Sequence, residues 1–174
     1  RYPHPGPAAI EIPIDLQYAE GEFEEPDTAI PTPPALDDAT LASIVEALRT
    51  AHRPVIWAGG GVVAAGASNE LTLLAERLGA PVVTTTSGRG SISEEHRLTL
   101  GNLFNDQQIK DLLASSDCLL AIGTRFQAAH TLNWSLKLPE TLIHIDADRA
   151  NLGRSYQPKV AAVADARASL RGIL

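Results

Sequence analysis

The sequence predicts an α/β protein, an open parallel sheet of about five or six strands with helices on both faces. Three observations predict it. Short apolar runs at Val55–Ala58, Pro81–Thr85, Asp117–Ile122, Thr141–Ile145 and Val160–Val163 have strand length and β-branched character. Several of the intervening segments carry apolar residues three and four positions apart, the period of a helix lying on a core. Most of the runs end at once in glycine or aspartate, the residues that turn a chain or cap a helix.

The stretch from Arg53 to Thr86 holds the clearest unit. Val55–Ala58 is led in by Pro54 and followed directly by Gly59, Gly60 and Gly61. From Ser68 the period changes: Leu71, Leu74, Ala75 and Leu78 form a stripe, Asn69, Glu70, Glu76 and Arg77 fill the opposite side, and Gly79 stands where a left-handed C-cap is expected. Pro81–Thr85 is then a second strand, and a right-handed crossover makes it the parallel neighbour of the first.

Before this unit, Asp37 or Asp38 is an available N-cap for a helix with Leu41, Ile44, Val45 and Leu48 on one side. After it come the loop Ser87–Gly90, a short helical turn expected at Ser93–His96, and an ambiguous stretch, Leu98–Phe104. A helix is expected over Asp106–Ala114, with Ile109, Leu112 and Leu113 at helical spacing, and Trp134 is expected to pack on the body of the domain. Ala166–Leu174 reads as a closing helix.

Most of the twelve prolines precede Ala35, and from Ala19 to Pro34 they mix with acidic residues. Such a composition favours extended chain, so residues 18–36 read as a linker. Within Pro7–Gln17 the alternation of Ile10, Ile12 and Ile14 predicts one strand, the last of a preceding domain or a stray edge. The globular part is expected over 37–174. With no methionine and Arg1 at its start, the chain is expected to be a segment of something longer.

A formal charge of −7 and pI near 5.1, with no basic cluster, exclude sequence-independent attraction to nucleic acid or anionic lipid. No apolar run approaches the roughly 18–20 residues that cross a bilayer, so no membrane partner is expected. The single cysteine, Cys118, lies inside an apolar run and reads as a core residue; with no internal disulfide possible, a cytoplasmic setting is expected.

In an open parallel sheet, groups at the carboxyl ends of strands line the ligand crevice. The candidates there are Gly59, Gly60, Gly61, Thr85, Thr86, Gly123, Arg125, Asp146 and Asp165. Glycine turns let main-chain N–H groups approach a pyrophosphate, a strand-end carboxylate suits ribose hydroxyls, and an arginine suits phosphate or a flat ring. The same residues also have plain structural uses: glycine to turn the chain, arginine to meet a surface carboxylate, aspartate to cap a helix. Gly59–Ala64 satisfies G-x-G-x-x-A, but the second strand ends in Thr84–Thr86 without the acidic residue of an ordinary NAD site. His4, His52, His96, His130 and His144 are scattered without metal-ligand spacing, and no nucleophile elbow or Walker lysine occurs. No catalytic and no metal-binding residue is therefore assigned, Asp146 and Asp148 included.

The sequence PVIWAGGGVVAAGASNELTLLAERLGAPVVTTTSGRGSISEEHRLTLGNL, with LLAIGTRF, LIHIDAD and VADA after it, resembles the central domain of thiamine-diphosphate-dependent enzymes of the acetolactate synthase type. The opening PGPAAIEIPIDLQ resembles the end of their pyrimidine-binding domain. The resemblance implies a Rossmann-like, DHS-like nucleotide-binding domain inside a larger enzyme acting on 2-oxo acids, a homodimer or homotetramer in which flanking domains hold thiamine diphosphate and Mg2+. The family's activating glutamate and Mg2+-binding segment are not in this chain, which alone is not expected to turn over. The nine candidates agree with FAD-contacting positions of the acetolactate synthases. The family's Gly-Met-His-Gly loop is replaced by Phe104–Gln107, and its Asp-Asp-Arg by Gln127–Ala129. FAD, ADP or an empty, vestigial pocket are the expectations. The alternative is a stand-alone nucleotide-binding or electron-transfer module of the same topology.

Overall fold

The computed structural model describes residues 7–22, 24 and 34–174. The chain divides into two compact units, Arg1–Thr32 and Pro33–Leu174. In the first, residues 7–13 form no strand and 14–17 form a turn closed by Leu16 N–H to Pro13 O and Gln17 N–H to Ile14 O. The strand expected over Pro7–Gln17 is not formed. Its apolar residues, Ile10 at 84% among them, face solvent, because alternation makes a strand only where a neighbouring sheet accepts its edge.

The second unit is a six-stranded sheet, β1 (Pro54–Ala58), β2 (Val82–Thr84), β3 (Thr99–Gly101), β4 (Cys118–Ile122), β5 (Thr141–Asp146) and β6 (Val160–Val163), in the order β3-β2-β1-β4-β5-β6 with every pair parallel. Helices α1 (Asp38–Thr50), α2 (Gly60–Ala64), α3 (Ser68–Leu78), α4 (Gln107–Ser115) and α5 (Ala166–Ile173) connect or flank the strands. β1 and β4 are buried along their whole length, as strands covered on both faces must be.

Alternate residues feed two cores. Ile56 and Ala58 of β1 join Ile44 and Leu48 of α1, Leu71 and Leu74 of α3 and Leu170 of α5 on one face. Val55 and Trp57 join Ile109 and Leu113 of α4, Phe104 and Phe126 on the other. α1 starts where Asp37 accepts the Thr40 N–H at 2.8 Å, and α3 stops where Gly79 turns left-handed at φ 62°. Val45, expected on the α1 stripe, is exposed.

Three further expectations are corrected. The glycines after β1 do more than turn the chain: Gly60 and Gly61 open the short helix α2. Ser93–His96 is a hydrogen-bonded turn, His96 N–H to Ser93 O at 3.0 Å, with no helix. Glu70, expected on the solvent side of α3, is buried, and its Oε1 accepts from Arg167 Nε and Arg171 Nε, both at 2.9 Å. The hydrogen bond from Arg167, with Arg171 beside it, holds the Glu70 carboxyl down at about 2 and clamps α3 to α5. Cys118 is a core residue; burial pushes its thiol up to about 11, where it is an inert apolar filler.

Candidate functional site

From β1 the chain winds outward through β2 to the edge strand β3, then returns to lay β4 on the other side of β1 and winds outward again through β5 to β6. Winding therefore reverses between β1 and β4, and the loops leaving their carboxyl ends flank the place where ligands settle in sheets of this kind. Those loops are Gly59–Gly61 and Gly123–Phe126.

The two loops meet main chain to main chain. Gly59 N–H donates to Ile122 O at 2.9 Å and Gly61 N–H to Gly123 O at 3.0 Å. A Cβ on Gly61 would stand 2.6 Å from Gly123 Cα, one on Gly123 would stand 2.6 Å from Gly61 Cα, and one on Gly59 would run into Gly123 O. Gly123 is also left-handed, at φ 60°. Close packing of the loops thus accounts for Gly59, Gly61 and Gly123, and two of the three amides read as pyrophosphate donors are already engaged. The Gly60 N–H donates to no acceptor among the described residues.

Thr85 and Thr86 leave the end of β2. The Thr85 N–H donates to Ala58 O at 3.0 Å and its Oγ1 accepts the Gly88 N–H at 3.0 Å, so this buried residue ties the β2 loop to β1. Thr86 is exposed and its N–H donates to His130 Nε2 at 3.2 Å, with Thr86 Oγ1 2.9 Å from the same nitrogen.

On β5, Asp146 is buried, and its Oδ1 accepts from the Asp148 N–H and from Asn151 Nδ2, both at 2.9 Å. Its Oδ2 has no hydrogen bond among the described residues. Asp165 follows β6 beside it, since the Ala164 N–H donates to Asp146 O at 3.1 Å, but its Oδ1 accepts the Ala168 N–H and caps α5. Arg125 is exposed and in no ion pair among the described residues. Gly60, Arg125, Asp146 and Asp165 thus keep bonding capacity to spare among the described residues, on the loops that leave β1, β4, β5 and β6. Asp165 also caps α5, and Thr85 holds the β2 loop.

Sequence reasoning missed what positions these loops. Trp57, Ala121 and His144 occupy one row across β1, β4 and β5. The small Ala121 leaves room above it for Phe126, which is left-handed at φ 48° and sits 5.1 Å from Trp57, 5.0 Å from His144 and 5.2 Å from Tyr156 by ring centres. The His144 Nε2–H donates to Thr124 O at 2.8 Å, fixing the β4 loop, while its Nδ1 is buried without a partner among the described residues. Burial pushes His144 below the ordinary histidine range, against the raising effects of Thr124 O and Asp146; burial lowers His130 as well. One signal was legible: a lone histidine inside the apolar run of β5 must have a hydrogen-bond partner. Trp134, expected to pack on the body, is 51% exposed and hangs from its indole N–H, which donates to Phe126 O at 2.9 Å.

A surface depression of about 530 Å3 lies elsewhere, at β3 and the start of α4, lined by Arg89, Glu94, Asn102 and Asp106 among others and by none of the nine candidates. Among the described residues no cluster of three or more metal-ligating side chains occurs, and no helix is long and apolar enough to cross a membrane.

Known proteins match this arrangement along nearly its whole length. The probable acetolactate synthase large subunit of Methanocaldococcus jannaschii is 36% identical over 98% of this chain and 30% of its own. The glyoxylate carboligase of Escherichia coli O157:H7 is 37% identical over 95% of the chain and 29% of its own, and the sulfoacetaldehyde acetyltransferase of Alcaligenes xylosoxydans xylosoxydans 37% over 94% and 28%. The chain spans about 30% of the length of these relatives. Residues 41–173, from the first turn of α1 to the end of α5, match the family described as thiamine pyrophosphate enzyme, central domain. The all-parallel sheet, its strand-end glycines and this match agree, and the chain belongs to the family of thiamine pyrophosphate enzyme central domains.

Proposed function

We propose that the chain is the central scaffold domain of a thiamine-diphosphate-dependent enzyme acting on 2-oxo acids, an acetolactate synthase-like carboligase or decarboxylase. Residues 1–17 close a preceding pyrimidine-binding domain, 18–36 link, and 37–174 form the nucleotide-binding domain. Thiamine diphosphate and Mg2+ are held by the flanking domains of a cytoplasmic homodimer or homotetramer, and the residues of this chain serve a different ligand. Three relatives with different named activities share this domain, which favours a scaffold role over a stand-alone electron-transfer module.

The ligand of this domain is an adenine nucleotide, FAD or ADP, lying across the ends of β1, β4 and β5. One observation carries that reading: among the described residues the buried Asp146 carboxylate keeps Oδ2 unused, free for a ribose, while the loops after the neighbouring strands β4 and β1 carry Arg125, in no ion pair among those residues, for phosphate and the Gly60 amide. When bound, FAD in this setting supplies a rigid body that fastens domains together.

The test is calorimetric titration of ADP and of FAD. Asp146→Asn keeps an Oδ1 that accepts from Asp148 and Asn151, so the loop survives and only the charge is lost. Affinity should fall by about 1–3 kcal/mol, the range for hydrogen bonds to a charged group. Gly60→Val places a branched side chain against Ser87, whose Cβ is already 3.0 Å from a Cβ at position 60, and should block entry. Binding that neither substitution weakens would place the nucleotide elsewhere.

A further inference from the structure

The segment from Phe126 to Leu136 is a strap. It leaves β4, reaches the loop after β2 through His130 and Thr86, and folds back so that Trp134 hangs on Phe126 O. In the sheet order β2-β1-β4 it therefore bridges over the end of β1. It is tightly tied: the Asn133 N–H donates to Ala128 O at 2.9 Å, the Trp134 N–H to Thr131 Oγ1 at 3.1 Å and the Leu136 N–H to Thr131 O at 3.2 Å. Leu132, Asn133 and Trp134 are consecutive left-handed residues, at φ 51°, 54° and 61°, a conformation that leucine and tryptophan adopt only where the surroundings impose it.

All this fixes one side chain at both ends of its reach while leaving half its surface in water. A tryptophan needed for the core would be buried, as Trp57 is; one needed for nothing would not be held by its backbone N–H and its indole N–H together. The peptide that holds the indole is next in sequence to Arg125. Trp134 thus hangs on the loop that leaves β4, the same loop that carries Arg125, and β5, which ends in Asp146, is the next strand; a rigid aromatic plate, a guanidinium in no ion pair among the described residues and a strand-end carboxylate are the parts that receive a planar ring, a phosphate and a ribose. We propose that Trp134 is the stacking platform for the planar heteroaromatic ring of the nucleotide bound at Arg125 and Asp146. The assignment rests on the nucleotide reading above and adds to it the residue that grips the ring.

The experiment uses the protein that carries this chain, with ADP and FAD as probes, in wild type, Trp134→Ala and Trp134→Phe. Loss of the plate should weaken binding about tenfold or more, while phenylalanine, which keeps a ring but loses the bond to Phe126 O, should recover most of it. Equal weakening of ADP and FAD would assign the plate to adenine, and weakening of FAD alone to the flavin ring; both support the proposal. In protein labelled with 5-fluorotryptophan, the 19F line that vanishes in Trp134→Phe should shift on binding. If either nucleotide binds yet Trp134→Ala leaves its affinity unchanged and the line does not move, the platform is refuted while the nucleotide site stands. Affinity that falls equally in both variants would show a structural tether in place of a stacking surface. Absence of binding in the wild type would overturn site and platform together.

Discussion

Substituting Gly123 by alanine tests whether the two strand-end loops are built by main-chain contact. Two costs act there. At φ 60° an added Cβ strains the backbone by about 1–2 kcal/mol. The same Cβ would lie 2.6 Å from Gly61 Cα and 2.9 Å from Gly61 C and Val62 N, none of them a side chain that could rotate away, and overpacking of that kind costs about 1–3 kcal/mol. Together they make about 2–5 kcal/mol, or roughly 4–20 °C in Tm for a chain of this size. Gly79→Ala is the internal control. Its φ of 62° imposes the same strain, but nothing lies within 4 Å of its Cβ, so it should lose only about 1–2 kcal/mol. The gain from a less flexible unfolded chain is common to both and cancels. Urea unfolding of the two variants, compared at equal m, isolates the contact. If Gly123→Ala is no less stable than Gly79→Ala within about 0.5 kcal/mol, the loops have slack and the account of the glycines is wrong.

Two pH effects follow from the buried charges. Because Glu70 is held at about 2, below its ordinary 4.5, its pairing with Arg167 and Arg171 is in force above pH 4.5 and is lost as pH falls toward 2. Stability should therefore drop less steeply between pH 5 and 3 in Glu70→Gln than in wild type; identical slopes in urea titrations would remove the clamp. His144 is lowered too, here by burial that favours the neutral ring, and the consequence has the same sign: its folded form resists protonation, so stability is intact above about 6.5 and declines as pH falls below that value. His144→Gln keeps an amide N–H for Thr124 O and cannot titrate, so its Tm should decline less between pH 7.5 and 5.5. His130 contributes in the same direction and should leave a residual slope. A His144→Gln profile parallel to wild type would show that His144 is not held neutral by its surroundings.

The strands and helices legible in the sequence were those whose period is set by the core: β1, β2, β4, β5, β6 and helices α1, α3, α4 and α5. β3 was ambiguous because it has no pattern of its own. It is three residues long, half-buried, and pairs with β2 through a register shift between Val82 and Val83. The strand expected near Ile12 failed for the converse reason, a pattern with no partner. Of the candidate site, the placement at strand ends was legible, since chain order and crossover handedness dictate it. Which groups stay available was not. Whether an aspartate caps a helix, as Asp165 does, or braces its own loop through the Asp148 N–H and Asn151, as Asp146 does, depends on how the following chain folds back on it. The roles of His130, Phe126 and Trp134 come from contacts between segments that no local period records.

The glycine seam between the β1 and β4 loops also sets how the domain can move. Side chains at an interface hop between rotamers and let packed elements slide; here the touching atoms are Cα and carbonyl groups fixed by two hydrogen bonds, with no rotatable bond between them. The seam is therefore a weld, and the two halves of the sheet cannot pivot about it without breaking both bonds at once. Adjustment to an incoming ligand falls to exposed side chains outside the weld, Arg125 first among them. The domain keeps its mouth at a fixed gauge and leaves the selection of what enters to a few side chains at the rim.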